Sequence, residues 1–106
     1  MYFSLKQSDI QKVNARPHII RTSMLTVKYL SEDQYKYSVV VSKKQGNAVE
    51  RNRVKRVVRE MMRKHVNHFP KGYYIIYLTK KCSMVKKPLI EAVFREIMTT
   101  IPFNTT

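Results

Sequence analysis

Between Asn47 and Val66 the apolar residues Val54, Val57, Val58, Met61 and Met62 recur at the three- and four-residue spacing of an α-helix. At about 100° per residue they gather on one side, while Asn52, Lys55, Arg56, Arg59 and Arg63 gather on the other. Arg51 and Arg53 fall at the margins, near the N-terminal end. Asn47 suits an N-cap, and Glu50 stands three residues on, at the reach-back position of a capping box. A helix over 47–66 therefore carries an apolar stripe that must dock on something. The β-rich segments on either side make a sheet the expected partner.

In "SMLTVKYL" Leu25, Val27 and Tyr29 point one way, and Thr26 and Lys28 the other. "YKYSVVVS" is β-branched and aromatic, and the polar "SEDQ" lies between them. The pattern predicts strands at about 22–30 and 35–42, paired as a hairpin. Gly72–Thr79 reads as a third strand, and Ile19-Ile20 could add a short fourth. Ser8 or Asp9 offers an N-cap for a short helix over 8–14, with Ile10 and Val13 at helical spacing and Arg16-Pro17 ending it. The basic loop "KKCSMVKKP" leads to a closing helix with Pro88 in its first turn. Leu89, Ala92, Val93 and Ile97 are expected to face the sheet. Two glycines, four prolines, no repeats and no Gly/Ser linker leave one domain over residues 1–106. The fold class is α+β, an α/β sandwich with a single mixed sheet and about three helices.

The charge balance narrows the partner. Lys and Arg number 21 against 7 Asp and Glu, a formal net charge of +14, which favours nucleic acid or an acidic membrane surface. Lys43, Lys44 and the helix residues to Lys64 supply nine cations against Glu50 and Glu60. Pairs such as Lys55/Arg59, Arg56/Arg59 and Arg59/Arg63 each cost a few tenths of a kcal/mol as like charges. A merely solvated face would interleave acids. Phosphates turn the repulsion into attraction, and arginine forks can hold phosphate oxygens bidentately or stack on bases. The helix N-terminus adds backbone N–H groups of the right polarity, and "VSKKQGN" brings Lys43 and Lys44 to that end.

Other polyanion readings fit less well. A DNA reader needs more base-edge groups than Asn52, and no helix immediately precedes this one as in a helix-turn-helix. A membrane-surface helix would need exposed apolar residues on its outer flank. No apolar run reaches the roughly 18–20 residues of a membrane span. Lys6 and Asp9 interrupt the start of the chain, so no secretory signal is expected. The single Cys82 fits a reducing cytoplasm. A general rRNA- or DNA-binding protein with no part in cleavage stays open as the alternative.

A protein nuclease would cluster carboxylates around divalent ions. Of Asp9, Glu32, Asp33, Glu50, Glu60, Glu91 and Glu96, only Glu32 and Asp33 are adjacent, in the expected hairpin turn. His65 and His68 lack further zinc ligands nearby in sequence. Cys82 would need a basic partner to act as a nucleophile. No catalytic residue and no small-molecule substrate are expected for this chain.

"VSKKQGNAVERNRVKRVVRE", Val41 to Glu60, closely resembles the signature of the bacterial ribonuclease P protein component. That family has a strand ending in Ser-Lys-Lys, a short Gly/Asn-Ala turn, then Arg-Asn-Arg-x-Lys-Arg-x-x-Arg. Element order and length agree more loosely over most of the chain. The resemblance implies an α/β sandwich with a left-handed β-α-β crossover around the basic helix. It also implies a cytoplasmic ribonucleoprotein that removes the 5′ leader of precursor tRNA. There the RNA subunit holds the catalytic Mg²⁺, and the protein assists leader binding and metal affinity. On that match Arg51, Asn52, Arg53, Lys55, Arg56 and Arg59, with Arg63 on the same face, would contact the RNA subunit. Lys43, Lys44 and Asn47 would stand at the nearby strand–helix turn. Ile10, Asn14, Thr26 and Lys28 would line the leader cleft. Ile10 and Asn14 replace residues that are usually aromatic in the family. Base stacking worth about 1–3 kcal/mol per base is therefore reduced or supplied elsewhere.

Overall fold

The run Tyr73-Tyr74-Ile75-Ile76 is apolar on both faces of any strand it forms, so that strand needs cover on both sides. The structure, a computed structural model describing residues 5–100, places it at the centre of the sheet. Residues 1–4 and 101–106, the ends of the predicted 1–106 domain, lie outside the described residues. In chain order the elements are α1 (Gln7–Ala15), β1 (His18–Arg21), β2 (Leu25–Ser31), β3 (Lys36–Val40), α2 (Ala48–Lys64), β4 (Gly72–Leu78) and α3 (Lys87–Thr100). Single 3-10 turns occupy Lys43–Gln45, Val66–His68 and Cys82–Met84. This is the expected α+β architecture, three helices on one mixed sheet.

The sheet order is β1-β2-β4-β3, with β3 and β4 parallel and the other neighbours antiparallel. The hairpin expected between the strands at 22–30 and 35–42 does not form, because β4 lies between β2 and β3. Burial explains the order: β4 is covered along almost its whole length, whereas β3 reaches the surface at Val40. The true hairpin joins β1 to β2. Residues 22–24 turn rather than extend, and the Thr22 N–H and hydroxyl both donate to the Leu25 carbonyl at 2.8 Å. The short strand at Ile19-Ile20 is β1 itself. Gly72 permits β4 to approach β2, since a Cβ there would lie 2.4 Å from the Leu30 carbonyl oxygen.

The two faces of the sheet are covered differently. One packs Leu25, Val27, Tyr74 and Ile76 against Val54, Val58, Met61 and Met62 of α2 and Ile90, Val93, Phe94 and Ile97 of α3. The other carries a smaller cluster, Val13 of α1 on Tyr73 and Ile75, flanked by Leu5, Ile10, Leu30 and Tyr77. Helix α3 is rotated from its expected setting. Ile90 and Phe94 point inward with Val93 and Ile97, and Leu89 and Ala92 face out. The larger area lies on the Ile90/Phe94 side, where Phe94 meets Phe69 edge-to-face at 6.2 Å. Helix α1 begins at Gln7 with Lys6 as its N-cap, two residues earlier than Ser8 as cap would place it and three earlier than Asp9. Asp9 acts from the third helical position, accepting from the Lys6 N–H at 3.0 Å.

The connection from α2 to β4 is held by tyrosine hydroxyls. Tyr35 donates to the Phe69 carbonyl at 2.6 Å, Tyr29 to that of Lys71 at 3.4 Å, and Tyr74 to that of Pro70. Burial pushes the Tyr74 phenol well above its ordinary range, so it stays a donor.

Burying each α2 anchor contributes about 1.5–3 kcal/mol. Val58 is wholly buried, whereas Val57, expected on the docked stripe, sits half-buried at its margin. Val58→Asp should abolish cooperative unfolding followed by circular dichroism, because an unpaired buried carboxylate costs several kcal/mol. Val57→Asp should only lower the Tm. A wild-type melt of Val58→Asp would contradict this docking.

Candidate nucleic-acid interface

Helix α2 presents its cationic face by the expected local chemistry. Asn47 is the N-cap: its side-chain oxygen accepts from the Glu50 N–H at 2.8 Å, and Glu50 accepts from the Asn47 N–H at 3.0 Å. Four turns follow with the apolar side down. On the outer side Asn52, Arg56, Arg59, Glu60 and Arg63 line a solvent-open groove. Glu60 is drawn toward Lys87 at 3.6 Å, so its charge only partly offsets the arginines.

The margin residues divide. Arg51 and Lys55 are half-exposed beside the groove. Arg53 instead turns its guanidinium onto the 79–87 loop, donating to the Val85 carbonyl at 3.1 Å and the Cys82 carbonyl at 2.9 Å. Lys43 and Lys44 are exposed on the 3-10 turn before the helix. Gln45 holds that turn, accepting from the Ser42 N–H at 2.8 Å and donating to the Leu78 and Lys80 carbonyls at 2.6 and 3.0 Å. The side-chain oxygen of Asn47 is committed to its cap.

The second surface lies across the sheet, beside α1. Lys28 donates to the Asn14 side-chain oxygen at 3.1 Å and sits 5.3 Å from the centroid of the Tyr77 ring. Thr26 is registered directly opposite both Arg21 and Tyr77, and Val40 flanks Tyr77 on the far side. Arg21, Thr26, Tyr77 and Val40 thus form one row across the sheet, Arg21 and Val40 exposed and Thr26 and Tyr77 half-buried. Asn14, Thr26 and Lys28 come together here. Ile10 packs half-buried against the Val13/Tyr73/Ile75 cluster, as Tyr77 does. Tyr77 was not anticipated from sequence. Its signal was the period of two in β4, which sets Tyr73, Ile75 and Tyr77 on the face opposite Tyr74 and Ile76.

Ion pairs tie α1 to the sheet. Lys36 meets Asp9 at 3.2 Å and Lys12 meets Glu32 at 3.1 Å, with Lys36 also 5.3 Å from the Tyr73 ring centroid. The Lys6 N–H, and then Lys36, hold the Asp9 carboxyl below the usual carboxylate range. Stability from a depressed carboxyl is present above its unfolded value, about 3.9, and fades as pH falls through the folded one. Asp9→Asn should therefore lower the Tm at pH 7, and the gap to wild type should start to narrow at about pH 4 and shrink further as pH falls through the lower folded value. An equal gap at pH 7 and throughout that fall would remove Asp9 from this role.

Cys82 is free and buried, and burial followed by the nearby Glu50 raises its pKa. Among the described residues no three His, Cys, Asp or Glu come close enough to hold a metal ion. His65 packs its ring near Phe94, and burial lowers its pKa. No helix among the described residues is long and apolar enough to cross a membrane.

A basic groove on one side of a four-stranded sheet and a row bearing Arg21 and Tyr77 on the other characterise this α+β domain. Residues 4–102 match the family model described as Ribonuclease P, and the chain belongs to that family. It is 36% identical to the ribonuclease P protein component of Coprothermobacter proteolyticus over 66% of this chain, spanning 59% of that relative's length. It is 40% identical to the component from Geotalea uraniireducens over 72% of this chain and 69% of that one. The fold matches the RNase P protein structure from Staphylococcus aureus with a TM-score of 0.81 at 24% identity, covering 92% of this chain and 93% of that one. The Thermotoga maritima RNase P protein gives 0.79 at 23% identity, covering 92% and 96%.

Proposed function

We propose that this chain is the protein subunit of ribonuclease P, binding the RNA subunit through the outer face of α2 and the 5′ leader of precursor tRNA through the row beside α1. The observation that carries the reading is the α2 groove, where Arg56, Arg59 and Arg63 converge around Asn52 with a single acid among them. Such a face is self-repelling alone and attractive to a phosphate backbone. Lys43, Lys44, Arg51 and Lys55 extend it toward the helix N-terminus.

The leader row suits a single strand. Lys28 and Arg21 supply charge for the backbone, and Tyr77 supplies a ring for a base to stack on. Tyr77 thereby takes the part left open by Ile10 and Asn14.

The endonucleolytic chemistry belongs to the RNA partner. Mg²⁺ bound there would supply it, and the acids among the described residues do not gather into a divalent-ion site. Five of the seven acids are already engaged: Asp9 with Lys36, Glu32 with Lys12, Glu60 with Lys87, Glu91 with Lys64, and Glu50 in its cap. The protein's work is to bind and orient.

A precursor tRNA with a 5′ leader, at low Mg²⁺, should be cleaved at the mature 5′ end by a bacterial ribonuclease P RNA plus this protein, and by neither alone. Cleavage by the protein alone would overturn the assignment. RNA binding without added cleavage would favour a general RNA-binding role. Arg56→Ala and Arg59→Ala should each weaken binding to that RNA and lower its log–log salt slope by about 1. Tyr77→Ala should cost about 1–3 kcal/mol in affinity for precursor with leader, with no loss for tRNA without one. Equal losses for both substrates would place Tyr77 outside the leader site.

A further inference from the structure

Arg53 behaves unlike its neighbours on α2. Its guanidinium fork spans two carbonyls of one short loop, those of Cys82 and Val85. The Val85 N–H also donates to the Cys82 carbonyl at 3.0 Å, closing the turn that presents both oxygens. From the other side Gln45 donates to the carbonyls of Leu78 and Lys80. Two side chains from the start of the α2 region thus hold four carbonyls between residues 78 and 85. The segments touch at Gly46, where a Cβ would lie 2.9 Å from both the Cβ and Sγ of Cys82.

The loop held in this way is itself cationic. Lys80, Lys81 and Lys86 are all exposed. Residues 43–56 and 80–87 together carry ten lysines and arginines against one acid, Glu50. Left free, such a loop would swing away from α2 to relieve repulsion. Arg53 opposes that by directing its charge at backbone carbonyl dipoles through a rigid planar fork, one nitrogen to each oxygen, a geometry that the single, more strongly hydrated nitrogen of a lysine does not reproduce.

We propose that Arg53 is a positioning residue: it fixes the 79–87 loop against α2, so that Lys80, Lys81 and Lys86 extend the phosphate-binding surface for the RNA subunit around the helix N-terminus. This rests on the RNA-subunit reading above, and the test separates the two.

Cys82, the only cysteine and fully buried, reports whether the loop is held. Its modification by iodoacetamide should quicken about tenfold in Arg53→Lys, which keeps the charge and loses the fork. Arg56→Ala should leave that rate at the wild-type value. In titrations with a bacterial ribonuclease P RNA, the triple variant Lys80→Ala/Lys81→Ala/Lys86→Ala should bind more weakly with a shallower salt slope. Arg53→Lys should weaken binding in the wild-type background and cost nothing further in the triple background. Gln45→Leu, which frees the same loop from its other side, should reproduce both readouts and serves if Arg53→Lys fails to fold.

Wild-type Cys82 protection in Arg53→Lys, additive losses of binding, or a triple variant that binds like wild type would each overturn the proposal. If Arg56→Ala and Arg59→Ala also bind like wild type, the RNA-subunit reading has failed and this proposal falls with it. If those two weaken binding and the triple variant does not, only the role of the loop is refuted.

Discussion

Everything in this domain is arranged around a strand that must be covered twice. The side chains of β4 are apolar in both directions, so Tyr74 and Ile76 need α2 and α3 on one face while Tyr73 and Ile75 need α1 on the other. Once β4 is central, β2 and β3 are separated. The path from β3 to β4 then has to run through α2 as a parallel crossover. The two candidate RNA surfaces are by-products of this requirement. One is the outer side of the helix that covers the first face. The other is the end of the second face, which the nine-residue α1 is too short to reach.

The charge on α2 is tolerable because its cost and its support differ in scale. Like-charged neighbours three or four residues apart cost tenths of a kcal/mol per pair, whereas each buried valine or methionine beneath them returns several times more. A helix of this composition would be marginal in isolation, and docking lets it hold a self-repelling face in place. Because that face is already ordered, an RNA bound there as proposed would meet side chains whose backbone needs no folding on arrival, which would reduce the entropic cost of association.

Much of this was legible in the sequence, and what was missed shares a cause. The α2 capping box, its apolar stripe and its cationic groove are local matters of period and spacing, and they stand as expected at Asn47, Glu50, Val58 and Arg56. The strand order was misjudged because "SEDQ" between two strands looks like a hairpin turn, and only the burial of β4, some forty residues on, rules that pairing out. The rotation of α3 depended on which of two apolar sides met Phe69. Arg53 looked like any cation at the edge of the stripe, since its carbonyl partners lie 29 and 32 residues away in the chain. Tyr77 was hidden in the same way. Its face was readable from the alternation, but the reach of α1 across that face was not.

The tyrosine hydroxyls that hold the α2–β4 connection grip main-chain carbonyls and ignore the side chains of the residues they fix. Asn67, His68 and Lys71 are exposed there and contribute little to that grip beyond their backbone. The connection is thus free to drift in sequence at its surface while keeping its path, so long as Tyr29, Tyr35 and Tyr74 keep their oxygens. In a lineage of such chains, variation should collect at Asn67, His68 and Lys71, and constraint should fall on Phe69, whose ring packs on Phe94, and on three rings that belong to other parts of the fold.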